Sequence, residues 1–304
     1  MAHHHHGHGS GHGHHHHSTP GGRTFALAVL LNLVFVLAEA VAGYVSGSLA
    51  LVADASHNLS DVLGLLLAWG AVVLARRRPT GRHTYGLRRA TILAALANAV
   101  TLLVVVGGIA WEAVRRFSEP QPVAGQLVIW TAAAGIVING ATALLFAAGR
   151  KGDLNTRGAF LHMAADAAVS LGVVVSGIAL ALTGWAWIDP AVSLVVAGII
   201  LWGTWGLLRE SLDLALDAAP QGVSTSDISS YLRTLPEVSG VHDLHVWALS
   251  TTETALTAHL VVPPERANDT LLRQVRSDLH DRFGIEHATL QLEAADCDKC
   301  CTRG

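Results

Sequence analysis

The sequence predicts an all-α domain of six membrane-spanning helices, followed by a small α+β domain. Hydrophobic residues make up 51% of the 304 residues and charged residues only 14%, whereas soluble domains usually carry about 25% charged residues. The net charge is -3 with histidine neutral, which excludes a basic field able to hold nucleic acid. This composition also excludes a disordered chain and argues against an ordinary soluble enzyme.

Six apolar stretches are long enough to cross the hydrocarbon core as helices, which takes about 20 residues each. Their apolar runs are continuous rather than alternating, which favours helices over the strands of a β-barrel. The first stretch is too long for a signal-peptide core and is followed directly by a second, so we expect it to be retained. The predicted spans are Thr24–Val45, Ser48–Ala75, Thr91–Val114, Gly125–Ala148, Ala159–Thr183 and Trp187–Leu208.

Arginine and lysine concentrate in the loops that follow the second and fourth spans. The first of these loops begins with Arg76, Arg77 and Arg78, and the second contains Arg150 and Lys151. Because positively charged loops stay in the cytoplasm, both chain termini are predicted to be cytoplasmic.

The two ends of the chain lie outside the predicted spans. Residues 1–22 contain ten histidines mixed with Gly and Ser, a composition that builds no core. This tract is either a purification tag or a native metal-collecting tail, and its irregular glycine spacers favour the tail. We divide the rest into a six-span helical domain at 23–210, a cytoplasmic domain at 220–295 and a Cys-containing tail at 296–304.

The segment after Pro220 alternates helical and strand patterns in the order αββαβ. Its turn residues separate the two patterns, and Gly284 ends the second helix. This order predicts a small, ferredoxin-like α+β fold on the cytoplasmic side. The predicted elements are Asp227–Leu235, Val241–Leu249, Thr254–Val262, Asn268–Phe283 and His287–Glu293.

Ionisable side chains at mid-span depth are few, and those that carry a full charge are all acidic. Such groups are costly in a bilayer and usually have a function. A cation is the natural counterpart of this set. Its members are Glu39, Asp54, His57, Asp61, His162 and Asp166, of which Glu39 lies nearer the outer part of its span.

Two of the spans each carry a His and an Asp four residues apart. His57 and Asp61 therefore share one helical face, and so do His162 and Asp166. Facing each other, the pairs offer two imidazole nitrogens and two carboxylate oxygens, a set that suits tetrahedral Zn2+. Two ionised carboxylates would be neutralised by one divalent cation. Asp54 lies on the same stripe and could orient ligands, carry protons or pack helices.

The segment from Ser48 to Asp61 resembles the second span of cation diffusion facilitator (CDF) zinc transporters, of the bacterial zinc/cobalt/cadmium efflux type. Residues 82–86, 155–162 and 241–247 resemble other segments of that family. The resemblance implies a Y-shaped homodimer in the bacterial inner (plasma) membrane that exports Zn2+ in exchange for protons. It implies divalent metal ions and lipid as partners and no nucleic acid. The residues that match the family's intramembrane transport site are His57, Asp61, His162 and Asp166.

The resemblance also implies details of metal choice. Some members carry Asp in place of the first His and accept Cd2+, so His57 implies a narrower preference for Zn2+, with Co2+ as an open alternative. Some members bind another metal in the loop after the second span, but this loop offers only His83. We therefore expect no metal site in that loop.

A second group of metal ligands is expected in the C-terminal domain. His242, His259 and Glu293 match positions that bind metal in the family's cytoplasmic domain. Cys297 and Cys300 form a CxxC pair, and a reducing cytosol favours metal thiolates over a disulfide. The alternative for this pair is a frayed tail. His245 follows His242 by three positions, which places the two on opposite faces of a strand.

Two other classes of function remain open at this point. An intramembrane metalloprotease would need a general base, usually within HExxH, and neither HNLSD nor HMAAD supplies that Glu. A zinc-sensing scaffold would bind metal without moving it. No Walker A motif is present, so no nucleotide cofactor is expected. The sequence therefore predicts a proton-coupled zinc transporter rather than an enzyme.

Overall fold

The computed structural model describes residues 22–147 and 154–295. Within these ranges, side chains are described from residue 33 onward, except at residue 65 and at residues 145–159. The His-rich tract lies outside the described residues, and so do Cys297 and Cys300. Their predicted metal-binding roles therefore stay predictions.

Six helices form the first part of the described chain and confirm the predicted helical membrane domain. Helices α2 to α6 are each long and apolar enough to cross a membrane. The part of α1 whose side chains are described, Leu33–Ser46, is a shorter apolar helix. Their bounds are α1 Gly22–Ser46, α2 Leu49–Ala75, α3 Ala90–Ser118, α4 Gly125–Ala147, α5 Leu154–Thr183 and α6 Ile188–Ala215.

The helices pack through small residues and face outward with large apolar ones. Helix α4 lies along α5, α3 lies along α6, and α2 contacts α1, α3 and α6. Ala50, Ala53 and Ala99 are fully buried at these contacts, which lets the backbones approach closely, as is typical of helices in membranes. Trp130 and Trp202 are among the large side chains that point away from the bundle, as a lipid-facing surface requires.

The α1–α2 turn is tied to the segment between α3 and α4. Gly47 has a φ of +72°, and a Cβ there would lie 2.9 Å from the carbonyl oxygen of Pro122, so the turn requires glycine. The backbone amide of Ala124 donates to the carbonyl of Ser46, and the Arg116 guanidinium donates to the carbonyl of Gly47. The turn is thereby held from two sides at one end of the bundle.

The C-terminal domain has the predicted order αββαβ. Strand β2 lies between the others, antiparallel to β1 and parallel to β3. Helix α8 is capped by Asn268, whose side-chain oxygen accepts from two backbone amides, and it ends at Gly284 with a φ of 65°. The elements are α7 Thr225–Arg233, β1 Gly240–Ala248, β2 Thr254–Val261, α8 Asp269–Phe283 and β3 Ile285–Glu293.

Two contacts join this domain to the loop before α3, and a third joins that loop to Asp217 of the linker between α6 and the domain. The Arg88 guanidinium donates to Glu253 at 2.8 Å, and Arg89 donates to Asp217. The ring of Tyr85 meets the ring of His287 edge to face at 5.4 Å between centroids. The loop between α2 and α3 is thus attached to the C-terminal domain as well as to the helices.

Candidate metal centres

The two HxxxD faces meet between α2 and α5. His162 Nε2 lies 2.9 Å from Asp61 Oδ2 and 3.6 Å from Asp166 Oδ2. His57 Nε2 lies 3.8 Å from Asp61 Oδ2 and 3.7 Å from Asp166 Oδ1. The structure therefore brings together all four residues that spacing alone placed on two separate helices.

The spacing of these donor atoms fits a tetrahedral metal ion. Zinc bonds of about 2.0–2.1 Å to nitrogen and oxygen place neighbouring ligand atoms about 3.3 Å apart. The four His-to-Asp distances, 2.9 to 3.8 Å, lie on both sides of that value. Donor atoms of His57, Asp61 and His162 all lie within 4.8 Å of one another, and Asp166 faces the two histidines with different oxygens.

A cavity of about 340 Å³ opens at this cluster, lined by residues of α2, α3, α5 and α6. The side chains of Asp61 and His162 are 37% and 43% exposed, whereas Asp166 is 5% exposed. Within the described chain, Asp166 Oδ2 and His57 Nδ1 are buried without a hydrogen-bond partner. A buried polar atom left unpaired is costly, and a cation between the helices would give the Asp166 oxygen a partner.

Two further carboxylates lie close to the cluster and are almost fully buried. Asp54 lines the same cavity and accepts a hydrogen bond from the Ser170 hydroxyl at 3.2 Å. Glu39 accepts from the side-chain amide of Asn58 at 3.4 Å, and its other oxygen is buried without a described partner. The sequence placed Glu39 nearer the outer part of its span, yet it is the most deeply buried of these acids, because α1 packs against α2.

Asp189 was missed by the sequence analysis, although it lies within the predicted sixth span. It accepts hydrogen bonds from the Ser48 hydroxyl and, at 2.9 Å, from the backbone amide of Leu49. Arg116 approaches the same carboxylate to 4.0 Å. Asp189 therefore caps the start of α2, the helix that carries His57 and its partner. No local pattern reveals this contact, since 141 residues separate Asp189 from Ser48.

A second group of potential ligands lies on the sheet, with one residue from each strand. His242 Nε2 and His259 Nδ1 each lie 3.0 Å from a different oxygen of Glu293. The two imidazole rings meet edge to face at 5.1 Å between centroids. These are the three residues expected from the family resemblance, and their nitrogen and oxygen donors are within reach of one ion.

A bulge in β1 lies between His242 and His245. The register shifts between His242 and His245, and Asp243 between them has a φ of 51°, a conformation that Asp tolerates better than most residues. His245 is mostly exposed and lies 2.9 Å from the Asp243 carboxylate. Hydrogen bonding to His245 lowers the pKa of Asp243. The expectation that His242 and His245 lie on opposite faces is therefore wrong: the bulge puts both on one face of the sheet, paired with His259 and Thr257, and His245 lies beside Asp243 while His242 lies beside Glu293.

Comparison with known proteins agrees with this architecture. The cation efflux transmembrane domain matches residues 25–214, and the cytoplasmic domain of cation efflux proteins matches residues 220–295. Zinc transporter ZitB of Escherichia coli (strain K12) is 40% identical over 265 residues, 86% of this chain and 84% of ZitB. Metal cation efflux system protein CzcD of Cupriavidus metallidurans is 35% identical over 286 residues, 92% of this chain and 90% of CzcD. A cadmium, cobalt and zinc/H(+)-K(+) antiporter of Bacillus velezensis is 33% identical over 266 residues, 86% of this chain and 85% of that protein.

Proposed function

The chain belongs to the cation diffusion facilitator family of metal cation efflux transporters, and we propose that it exports Zn2+ from the cytoplasm in exchange for protons. The proposed transport site consists of His57, Asp61, His162 and Asp166. The observation that carries this assignment is the meeting of two HxxxD faces at tetrahedral spacing, in a cavity between spanning helices. As a transporter the protein is not an enzyme.

The choice of Zn2+ follows from the donor set. Two imidazole nitrogens and two carboxylate oxygens suit a borderline-soft ion that accepts tetrahedral geometry. Harder ions such as Mn2+ prefer more oxygen donors and octahedral geometry. Two ionised carboxylates neutralise the divalent charge, which lowers the free-energy cost of holding the ion between the helices. The relative from Escherichia coli is named a zinc transporter, which supports the same cargo.

Proton exchange follows from the protonation state that metal binding requires. His57 and His162 bind metal only as neutral imidazoles, and Asp61 and Asp166 only as carboxylates, so binding expels any protons that these groups hold. After the site becomes open to the other side, protonation of the same groups removes the ligands and releases the ion. A higher proton activity outside then drives export. The relative from Bacillus velezensis is named an H(+)-K(+) antiporter with zinc among its ions.

The remaining sequence predictions give the topology, the domains and the assembly that we propose for this transporter. Both termini would face the cytoplasm of a bacterial inner membrane, with helices at 23–210 and the cytoplasmic domain at 220–295. The chain would act as a homodimer, assembled through that domain. His242, His259 and Glu293 would bind a regulatory Zn2+, with the tail at 296–304 adding Cys297 and Cys300. The tract at 1–22 would collect metal near the entrance.

Zinc flux into proteoliposomes with an imposed pH gradient tests the transport site. Asp61→Asn keeps the side-chain volume and removes one anionic ligand, so one carboxylate no longer balances the divalent charge. Loss of an outer-shell partner alone typically costs 10- to 100-fold in metal affinity, so we expect flux to fall by at least about 100-fold. Asp166→Asn should behave alike, because the two pairs are equivalent by spacing.

Asp213→Asn is the matched control for these variants. Asp213 is an exposed carboxylate on α6, outside the cavity, so its replacement should leave flux unchanged. Wild-type flux in Asp61→Asn, with normal insertion and folding, would remove the four-residue cluster as the transport site.

A further inference from the structure

A basic pocket lies where the end of α2 meets the C-terminal domain, and its lining includes no residue of either metal centre. Its volume is about 480 Å³. One wall is the loop that follows α2, and the opposite wall is the turn between β1 and β2. The lining residues include Arg76, Arg77, Arg78, Arg88 and Glu253.

The charge of this pocket is strongly positive. Four arginines line it against a single glutamate, and that glutamate is already paired with Arg88 at 2.8 Å. Arg76, Arg77 and Arg78 are exposed and form no ion pair with a carboxylate in the described parts of the chain. Three guanidinium groups are therefore free to bind an anion.

The floor of the pocket is apolar, which distinguishes it from a simple phosphate site. Val72 and Ala75 of the last turns of α2 line it, together with Pro79. On the preceding turn, Trp69 is 70% exposed, a position typical of aromatic residues at a membrane interface. The arginines thus lie at the end of a membrane-spanning helix, directly beyond side chains that face lipid.

The loop that carries the arginines is built into a defined shape. The backbone amide of Gly86 donates to the carbonyl of His83, and that of Thr80 donates to the same carbonyl. Gly86 has a φ of +75°, and a Cβ there would meet the carbonyl of Arg77 at 3.3 Å. The contact between Tyr85 and His287 fixes the other side of the loop. The arginine cluster therefore rests on an ordered scaffold.

We propose that this pocket binds the headgroup of an anionic phospholipid from the adjacent leaflet. Arginine guanidinium groups bind phosphate oxygens in pairs, and basic clusters beside a spanning helix attract anionic lipids. The apolar floor contacts the glycerol and upper acyl region of the lipid. Free phosphate has no apolar part and makes no such contact. The headgroup would lie between the α2–α3 loop and the turn of the C-terminal domain, and so join them. This binding is independent of the transported metal.

The test measures lipid binding to the full-length protein by native mass spectrometry and by fluorescence quenching in nanodiscs. Phosphatidylglycerol is compared with phosphatidylcholine, and inorganic phosphate is added as a soluble competitor. The variant Arg77→Gln with Arg78→Gln removes two pocket charges. Each arginine near an anionic surface contributes about fivefold to binding, so the preference for phosphatidylglycerol should fall by about 25-fold.

The control Arg82→Gln with Arg276→Gln removes the same charge from exposed positions outside this pocket. It should keep the wild-type preference, and both double variants should melt like wild type in phosphatidylcholine. An equal loss in the control would reduce the effect to net charge and overturn the proposal. Displacement of the lipid by millimolar inorganic phosphate, or no preference for phosphatidylglycerol in the wild type, would overturn it too.

Discussion

Replacing Asp189 by Asn tests whether the start of α2 is positioned by α6. The Asp189 carboxylate accepts from the Ser48 hydroxyl with one oxygen and from the Leu49 amide with the other. Asn keeps one acceptor oxygen and turns an NH2 group toward the second donor. At least one hydrogen bond to a charged group is lost, which costs about 1.5–3 kcal/mol. The docking of α2 on α6 should weaken by about 10- to 150-fold.

Two measurements on the purified protein check this expectation. The melting temperature reports docking, and zinc affinity reports whether the four ligands are still held in place. Asp189→Asn should lower both, and Ser48→Ala should lower them less, because the bond from the Leu49 amide remains. Glu119→Gln is the control, since Glu119 is an exposed carboxylate that, among the described residues, pairs with Arg115 alone, a kind of contact worth about 0–1 kcal/mol. If Asp189→Asn matches that control in both measurements, the positioning argument is wrong.

Three further changes probe the proposed transport site, the sheet group and the α1–α2 turn. His57→Asp keeps four ligands and should retain Zn2+ flux, gain Cd2+ flux and shift its pH dependence, because one titratable imidazole is lost; unchanged metal selectivity in proteoliposomes would contradict this. Glu293→Gln should lower the zinc bound per chain in native mass spectrometry without abolishing flux. Glu286 is an exposed neighbour on β3, and Glu286→Gln should leave the bound zinc unchanged. Equal bound zinc in the two variants would remove the sheet group as a metal site. Gly47→Ala places a Cβ 2.9 Å from a carbonyl oxygen at a φ of +72° and should destabilise the protein by about 1–3 kcal/mol. Gly107 has open space around it, so Gly107→Ala should not destabilise the protein. Equal melting temperatures of the two variants would contradict the argument that Gly47→Ala strains the backbone.

The parts of the proposed transport site that the sequence predicts are the two His and Asp pairs with helical spacing. A His and an Asp four residues apart share a helical face whatever the rest of the fold does, so both HxxxD pairs are readable. Their meeting across two helices follows from charge, since a buried carboxylate needs a cation or a donor. The order αββαβ is readable for a similar reason, because turns and capping residues such as Gly284 mark the element ends.

The parts that sequence does not predict depend on contacts between distant residues. An acid beside Pro190 reads as an ordinary helix start, and nothing near Asp189 announces that its partner is Ser48. Glu39 has no patterned neighbour, and its burial becomes visible only when α1 is placed against Asn58 of α2. The bulge at Asp243 depends on how β1 pairs with β2, which strand alternation alone does not specify.

The hydrogen bonds at the start of α2 make this helix a lever with one fixed end. Its 27 residues span about 40 Å at about 1.5 Å per residue. A tilt of about 5° around the fixed end would swing the far end by about 3.5 Å but move His57 by about 1 Å and Asp61 by about 1.6 Å. Metal coordination tolerates distance changes of only about 0.2 Å. A small rotation about this pivot is therefore enough to take two ligands away from an ion, while the hydrogen bonds of Asp189 stay intact.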